Sequence, residues 1–423
     1  MTDFYFPSKK SSSHFRNFHS KQIALKKSFP SQVLVGTFSD TSWCGRKKDF
    51  QPAILEITAK IAKRVLVAIF FCQNSSMRVL VAMSGGVDSS VAAAILQSQG
   101  HDVVGATMRL WGGSSDSGCC QVTDVIDARR VCDALGIEHL VFDMTEEFES
   151  FVIGNFADAH QNALTPNPCV ECNRHLKFKT FLDKALRLGF EAIATGHHAR
   201  IENPEIAGSP RLLRGVDRAK DQSYVLSVLT GDVLEKCLLP IGEMTKDEVR
   251  KYASRLGMRT ADKPDSQDLC FISSLNKSES RSDFLKERIS FHSGQLVDNA
   301  TGSELGEVPA IELLTVGQRR GLSFSAGVRK YVTAIDVGQK KVFIGDEEDL
   351  LVDKVKLREL TVTGEELLQG RKVQVQVSAH GRPREAFIAE DGIFFASKSR
   401  KVAPGQIVAI YDEDTVLGSG IAC

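Results

Sequence analysis

Arg78-Val79-Leu80-Val81-Ala82-Met83-Ser84-Gly85-Gly86-Val87-Asp88-Ser89-Ser90 is the stretch that decides the fold. Residues 78–82 form a short apolar run that reads as a strand, and it runs into Gly85-Gly86. Residues 91–97 are Ala-rich and read as a helix closed by Gly100. Between the two, glycines let the backbone come close to an anion. Loop amides and the helix N-terminus add partial positive charge, and Ser84, Ser89 and Ser90 add hydroxyl donors. No Lys follows the glycines, so this is not the GxxxxGK[ST] loop. Asp88 is placed to cap the helix that follows. Working outward, 103–106 reads as a strand and 122–135 as a helix stopped by Gly136. Residues 139–142 read as a strand, 176–188 as a helix up to Gly189, and 192–194 as a strand. Strands alternating with helices of this length predict β-α-β units and an α/β, doubly wound parallel sheet. Its ligands belong beyond the carboxyl ends of the strands.

The chain has 423 residues, 42% hydrophobic and 25% charged, an ordinary globular composition with room for two or three domains. The longest apolar run, 65–72, is far below the ~18 residues that span a bilayer, so no membrane partner is expected. Ten unevenly placed cysteines read as catalytic or metal-binding groups and not as a disulfide framework. Residues 1–76 hold 12 basic and 4 acidic residues and the run Ser11-Ser12-Ser13. They read as an organellar transit peptide (plastid or mitochondrion) or a disordered leader on a soluble protein. Residues 77–423 hold 41 basic and 49 acidic residues, a net charge of −8. Nucleic acid must therefore be met by local basic positions, with Lys220 and Arg174 expected to dominate. In the tail, Val373, Val375 and Val377 alternate with Gln374 and Gln376. Turn signals at Asp391-Gly392, Pro404-Gly405 and Gly418-Ser419-Gly420 separate further apolar runs, which predicts a small antiparallel barrel. The expected organisation is leader 1–76, catalytic domain 77–280, central domain 281–355 and C-terminal β-barrel 356–423.

Cys169-Val170-Glu171-Cys172 follows Thr165-Pro166-Asn167-Pro168, and Cys270 lies in Asp265-Ser266-Gln267-Asp268-Leu269-Cys270-Phe271-Ile272. A CxxC by itself admits redox, zinc or iron–sulfur chemistry. Two cysteines plus one suit a four-ligand structural zinc poorly. Cys119-Cys120 reads as a flexible loop pair, Cys132 and Cys237 as core residues, and Lys246, Lys251 and Arg255 as a solvated helix face. His197-His198, after a strand and Gly196, reads as a nucleotide or RNA contact pair.

The Ser84–Ser90 loop resembles the pyrophosphate-binding loop of the PP-loop ATP pyrophosphatases, whose domain is adenine-nucleotide α-hydrolase-like. Several segments in one order resemble the tRNA-uridine 2-sulfurtransferase family from Met77 to about residue 420. They are this loop, Thr165–Asn173, Thr195-Gly196-His197-His198-Ala199, Lys220-Asp221-Gln222-Ser223-Tyr224, the Cys270 segment and Thr315-Val316-Gly317-Gln318-Arg319-Arg320-Gly321-Leu322. The resemblance implies ATP-dependent 2-thiolation of the wobble uridine of tRNA, by adenylation of the C2 carbonyl oxygen and sulfur transfer. It implies that Ala82, Met83, Ser84, Gly85, Gly86, Val87, Asp88, Ser89, Met108 and Gly196 bind ATP, with Asp88 placing Mg²⁺. Cys172 matches the nucleophile and Cys270 the persulfide carrier. Asn167, Pro168, Cys169, His197, Lys220, Asp221, Gln222 and Gln406 match tRNA contacts. The implied partners are tRNA with a wobble uridine and a sulfur donor, a cysteine desulfurase or a sulfur-relay protein. Many members carry Asp where this chain has Cys169. The CxxC makes Cys169, Cys172 and Cys270 a three-cysteine set able to hold a [4Fe–4S] cluster with one open iron. Two other classes compete: a PP-loop enzyme acting on a small metabolite, which leaves the cysteines unused, and a non-catalytic RNA-binding module, which leaves the intact loop unused.

Overall fold

The computed structural model describes residues 76–110, 122–203, 208–265, 271–272, 277–322, 329–364 and 366–423. The chain divides into two units, Met1–Phe70 and Phe71–Cys423, and every described residue lies in the second. Cys119, Cys120, Cys270 and residues 1–75 of the leader lie outside the described residues.

The quoted stretch forms β1 (Arg78–Ala82), a tight loop, and α1 (Val87–Ser98). Then come β2 (Asp102–Arg109), α2 (Val122–Leu135), β3 (His139–Asp143), helical runs over 145–161 and 168–187, and β4 (Ala192–Ala194). A hairpin, β5 (Ala199–Glu202) and β6 (Arg211–Arg214), leads on to β7 (Cys237–Leu238) and α3 (Lys246–Arg255). Strand order is β3-β2-β1-β4-β7, and each pairing is parallel. β1 lies in the middle, with Leu80 opposite Val104 on one side and Ile193 on the other. Both faces are covered, as a parallel sheet requires. Leu80 and Ile193 enter a core with Phe178, Phe181 and Tyr224, while Val79 and Val81 meet Val91, Ala128, Ile241 and Val249.

The helix after the loop begins at Val87, four residues earlier than the Ala-rich run predicted. Its N-cap is Gly86, in extended backbone at φ −95°, so Asp88 sits in the first turn and is not the cap. Its carboxylate is engaged elsewhere, as described below.

The central region pairs β8 (Gly294–Asp298), β9 (Glu304–Val308), β10 (Tyr331–Asp336) and β11 (Lys341–Gly345) in the order β10-β11-β8-β9, around Leu296, Val332, Val342 and Ile344. The tail holds β12 (Leu351–Val362), β13 (Lys372–Gln376), β14 (Arg384–Ala389), β15 (Gly392–Arg400), β16 (Ile407–Asp412) and β17 (Thr415–Ala422). These six close as an antiparallel barrel, because β12 pairs with both β15 and β17. The alternation is realised over 373–375, where Val373 and Val375 face the barrel core; it breaks at Gln376, which is buried as the acceptor of Arg214, and Val377 is half-buried. One feature has no signal in the sequence. The β5–β6 hairpin of the first domain extends the barrel sheet by pairing Leu212 with Val416. Ile407, Tyr411 and Val416 of the barrel accordingly belong to the same core as Leu80 and Tyr224.

Candidate active site

The chain leaves β1 towards β2 and β3 and later returns on the other side through β4 and β7. The crevice beyond the carboxyl ends of β1 and β4 is therefore the switch point at which such sheets bind ligands. The loop after β1 and the segment Thr195–His198 after β4 line it. They are in close contact: a Cβ on Gly196 would lie 2.6 Å from the Asp88 carbonyl carbon and from the Ser89 nitrogen. Gly85 takes φ +70°, and a Cβ there would meet the Asp124 backbone oxygen at 2.4 Å. Only glycine fits at either place.

Within the loop, the Ser89 hydroxyl accepts from the Ser84 amide at 3.2 Å and donates to the Gly86 carbonyl at 3.2 Å. The Ser90 hydroxyl donates to the same carbonyl at 2.8 Å. Met83 is held to β2, its amide donating to the Ala106 carbonyl and its carbonyl accepting from Thr107. Ala82 is half-buried, Val87 is buried beside Met83, and Met108 is buried at the carboxyl end of β2. Of the ten positions expected to hold ATP, Met83 and Val87 are packed in the core, while Ser84, Gly86 and Asp88 of the loop are not buried.

Asp88 is the loop's only charged residue. Lys246 Nζ donates to its two oxygens at 2.8 and 2.7 Å, and His198 Nε2 lies 3.2 Å from Oδ1. Burial pushes the carboxyl pKa up, but the hydrogen bonds from His198 and Lys246 outweigh it and hold the group below the usual range. Lys246 also reaches Asp265 Oδ1 at 2.8 Å. Asp265 in turn accepts from Lys220 at 2.8 Å and Arg250 at 2.9 Å. Against the opposing effect of burial, the Lys220 and Lys246 bonds bring its pKa down to about 2. On the loop's other flank, Lys263 Nζ donates to the Gly85 carbonyl at 3.0 Å, to Asp124 at 2.8 Å and to Asp127 at 3.0 Å.

The cysteine loop is built by capping. Asn167 Oδ1 accepts from the Val170 amide at 3.2 Å, Pro168 opens the short helix Pro168–Glu171, and Asn173 Nδ2 donates to the Cys169 carbonyl at 3.0 Å. The run continues as a π-helix over Cys172–Thr180, a rare form that occurs mostly at functional sites. Cys169 is exposed and Cys172 is buried beside Val170, Leu176 and Phe178. Phe178 packs on His197, ring centroids 5.7 Å apart, so the cysteine helix touches the segment after β4 that borders the glycine-rich loop. The Thr165 amide donates to the Pro404 carbonyl at 2.7 Å, so the segment leading into the cysteine motif touches the barrel two residues before Gln406.

The remaining expected RNA contacts divide by burial. Lys220 keeps a 39% exposed side chain. Gln222 Oε1 accepts from the His198 amide at 2.9 Å. Asp221 is buried, and its oxygens accept from Arg214, the Gly215 amide and Ser223. His197 is buried against the Thr195 hydroxyl at 2.7 Å. Burial, then the charge of Lys177, drives its pKa well below the ordinary value. Arg174 is half-buried and lies 3.9 Å from Glu359 of β12. Cys132 and Cys237 are core residues as expected. Burial pushes the Cys132 thiol up to about 11 and Cys237 further.

The family profile described as tRNA methyl transferase HUP domain matches residues 77–274. Those described as tRNA methyl transferase PRC-barrel domain and aminomethyltransferase beta-barrel domain match 282–346 and 347–422. The tRNA-specific 2-thiouridylase MnmA of Roseiflexus sp. (strain RS-1) is 41% identical over 373 residues, 81% of this chain and 98% of that protein. Those of Mycobacterium avium (strain 104) and Mycobacterium leprae (strain Br4923) are 43% and 44% identical over 361 residues, again 81% of this chain and 98% of each. The chain belongs to the tRNA-specific 2-thiouridylase family.

In this thiouridylase-family chain the reading of Lys246 as part of a solvated face is overturned. Lys251 and Arg255 are exposed, but Lys246 is buried between two carboxylates. Lys263, Asp265 and His198 also belong to the site through contacts far apart in sequence. A local clue existed for Lys246. Thr245 and Glu248 form a capping box, so Lys246 occupies the first turn of α3, where the helix dipole disfavours a cation.

Proposed function

We propose that the protein is an ATP-dependent tRNA-uridine 2-sulfurtransferase acting at the C2 position of the wobble uridine. The supporting observation is the meeting, at one sheet switch point, of a glycine-rich phosphate loop and the Asn167–Cys172 loop, bridged by His197 and Phe178. The first step forms a bond between the uridine C2 oxygen and the α-phosphorus of ATP, and pyrophosphate leaves. In the second, a sulfur nucleophile bonds to C2 and AMP leaves with the former carbonyl oxygen. The base must be out of its stack to enter such a crevice. Asp88, the carboxylate bordering the loop, would hold Mg²⁺ together with the nucleotide's phosphates, since this ion is held by one or two carboxylates and substrate phosphates. The ion would neutralise charge on the departing pyrophosphate.

Two sulfur routes share Cys172 and Cys270. In the thiol route a donor protein loads a persulfide onto Cys270. Cys172 thiolate attacks the Cys270 sulfur, hydrosulfide is released towards C2, and a Cys172–Cys270 disulfide remains for a thiol reductant. The second route rests on a [4Fe–4S] cluster held by Cys169, Cys172 and Cys270. In its favour, Cys169 and Cys172 lie one helical turn apart. Among the described residues, which do not include Cys270, no group of three His, Cys, Asp or Glu is arranged to hold a metal. Cys169→Asp separates the routes. Iron and activity lost together in anaerobically prepared protein establish the cluster. An iron-free wild type with an active variant leaves the thiol route. Absence of 2-thiouridine after incubating the wild type with ATP, a sulfur donor and unmodified tRNA would sink the function itself.

Residues 1–76 are proposed as an organellar address, tested by the destination of a fluorescent protein fused behind them. Among the described residues no helix is long and apolar enough to cross a membrane.

A further inference from the structure

A polyphosphate brings several negative charges, yet the only charge the Ser84–Ser90 loop itself offers is the carboxylate of Asp88. A P-loop solves this with its own lysine. Here two lysines reach the loop from afar. Lys263 is committed: its ammonium is spent on the Gly85 carbonyl and on Asp124 and Asp127, so it braces the loop. Lys246 is held differently. It sits at the first turn of α3, 158 residues beyond Asp88, with its backbone fixed by the Thr245–Glu248 capping box and by the bond from its amide to Asp217 at 2.9 Å. Its side chain is 10% exposed, and its partners are Asp88 and Asp265. Both can release it. Asp265 keeps Lys220 and Arg250, and Asp88 keeps His198. A cation buried at the positive end of a helix works against the dipole, the kind of local cost found at functional positions.

We propose that Lys246 is a phosphate-binding residue. Its ammonium transfers from Asp88 to oxygens of the nucleotide's β and γ phosphates, the task a P-loop lysine performs from inside its loop. The inference rests on the ATP reading above and adds to it the residue that recognises the pyrophosphate part.

The test is equilibrium binding of ATP, inorganic pyrophosphate and AMP to the full chain without tRNA. Lys246→Met is expected to weaken ATP and pyrophosphate at least tenfold and to leave AMP within twofold. Lys246→Gln retains a donor for Asp88 and Asp265, and so supports folding, but lacks the charge; it should show the same loss. Lys246→Arg should recover most of the affinity, and Lys251→Met, at an exposed position on the same helix, should bind as wild type. Unchanged pyrophosphate affinity in folded Lys246→Met or Lys246→Gln overturns the proposal. Equal weakening of AMP makes Lys246 a structural brace and also overturns it. A wild type that binds neither ATP nor pyrophosphate defeats the ATP reading itself, a result distinct from both.

Discussion

A Cβ on Gly85 would strike the Asp124 backbone, whereas one on Gly86 would meet nothing nearer than the Ser84 hydroxyl at 3.4 Å. The two glycines therefore separate folding from binding. Gly85→Val must distort the loop at φ +70° and should lower the denaturation midpoint, at a cost of about 1–3 kcal/mol or more. Gly86→Val keeps the fold, since its φ of −95° suits any residue, but fills the space a phosphate needs. It should abolish ATP binding and thiolation with little change in melting temperature; thiolation at the wild-type rate would refute the loop assignment. Asp88→Ala should likewise abolish thiolation in a folded protein. Lys220 keeps a 39% exposed side chain, and its ammonium is already poised on Asp265. Lys220→Ala should weaken tRNA binding and reduce the slope of log affinity against log salt by about one unit. An unchanged slope would remove Lys220 from the RNA face.

The helical run over 145–161 ends in a pH-sensitive joint. His160 is buried, and its Nδ1 donates to the Glu312 carbonyl at 3.0 Å, tying this run to the central region. Burial takes its pKa down to about 4, against the opposing effect of that hydrogen bond. Below its unfolded value of about 6.5 the unfolded chain binds the proton and the folded one does not. The stability it contributes is thus present above pH 6.5 and lost as pH falls towards 4, on the order of 3 kcal/mol in all. Melting curves from pH 7 to 4 should show this loss, and His160→Gln, which still donates to Glu312, should flatten it. Elements with local causes were legible in the sequence. β1 and β4 follow from apolar runs that lead into glycine, α2 from a helical run stopped by Gly136, and the barrel from alternation at 373–375. The sequence reading begins this helix at 176, so it misses the first four residues of the π-helix at Cys172–Thr180, whose i→i+5 bonding leaves no compositional mark. The Lys246 and Lys263 contacts were not legible either. An ion pair between residues more than a hundred positions apart is fixed by topology and not by neighbours.

The first domain and the barrel are joined through buried polar groups and not merely in contact. Arg214 of β6 donates to Asp221 at 3.1 Å and Gln376 at 2.8 Å, and its guanidinium carbon lies 3.6 Å from the Tyr411 ring centre. Tyr224 donates to the carbonyls of Val377 and Ile407. Arg214→Met strands the Asp221 charge in the interior and should cost about 3–5 kcal/mol, read as a lower urea midpoint. Because Asp221 sits between Lys220 and Gln222, the same variant should also weaken tRNA binding. The pairing of Leu212 with Val416 has a consequence for how the chain is made. About 200 residues separate the partners, and a ribosome adding ~5–20 residues per second needs roughly 10–40 s to cover that distance. Throughout that interval the unpaired edge of β6 and the apolar surface under Tyr224 wait for strands not yet synthesised. The nascent catalytic half is a natural client for a chaperone, and its last folding step belongs to the end of translation.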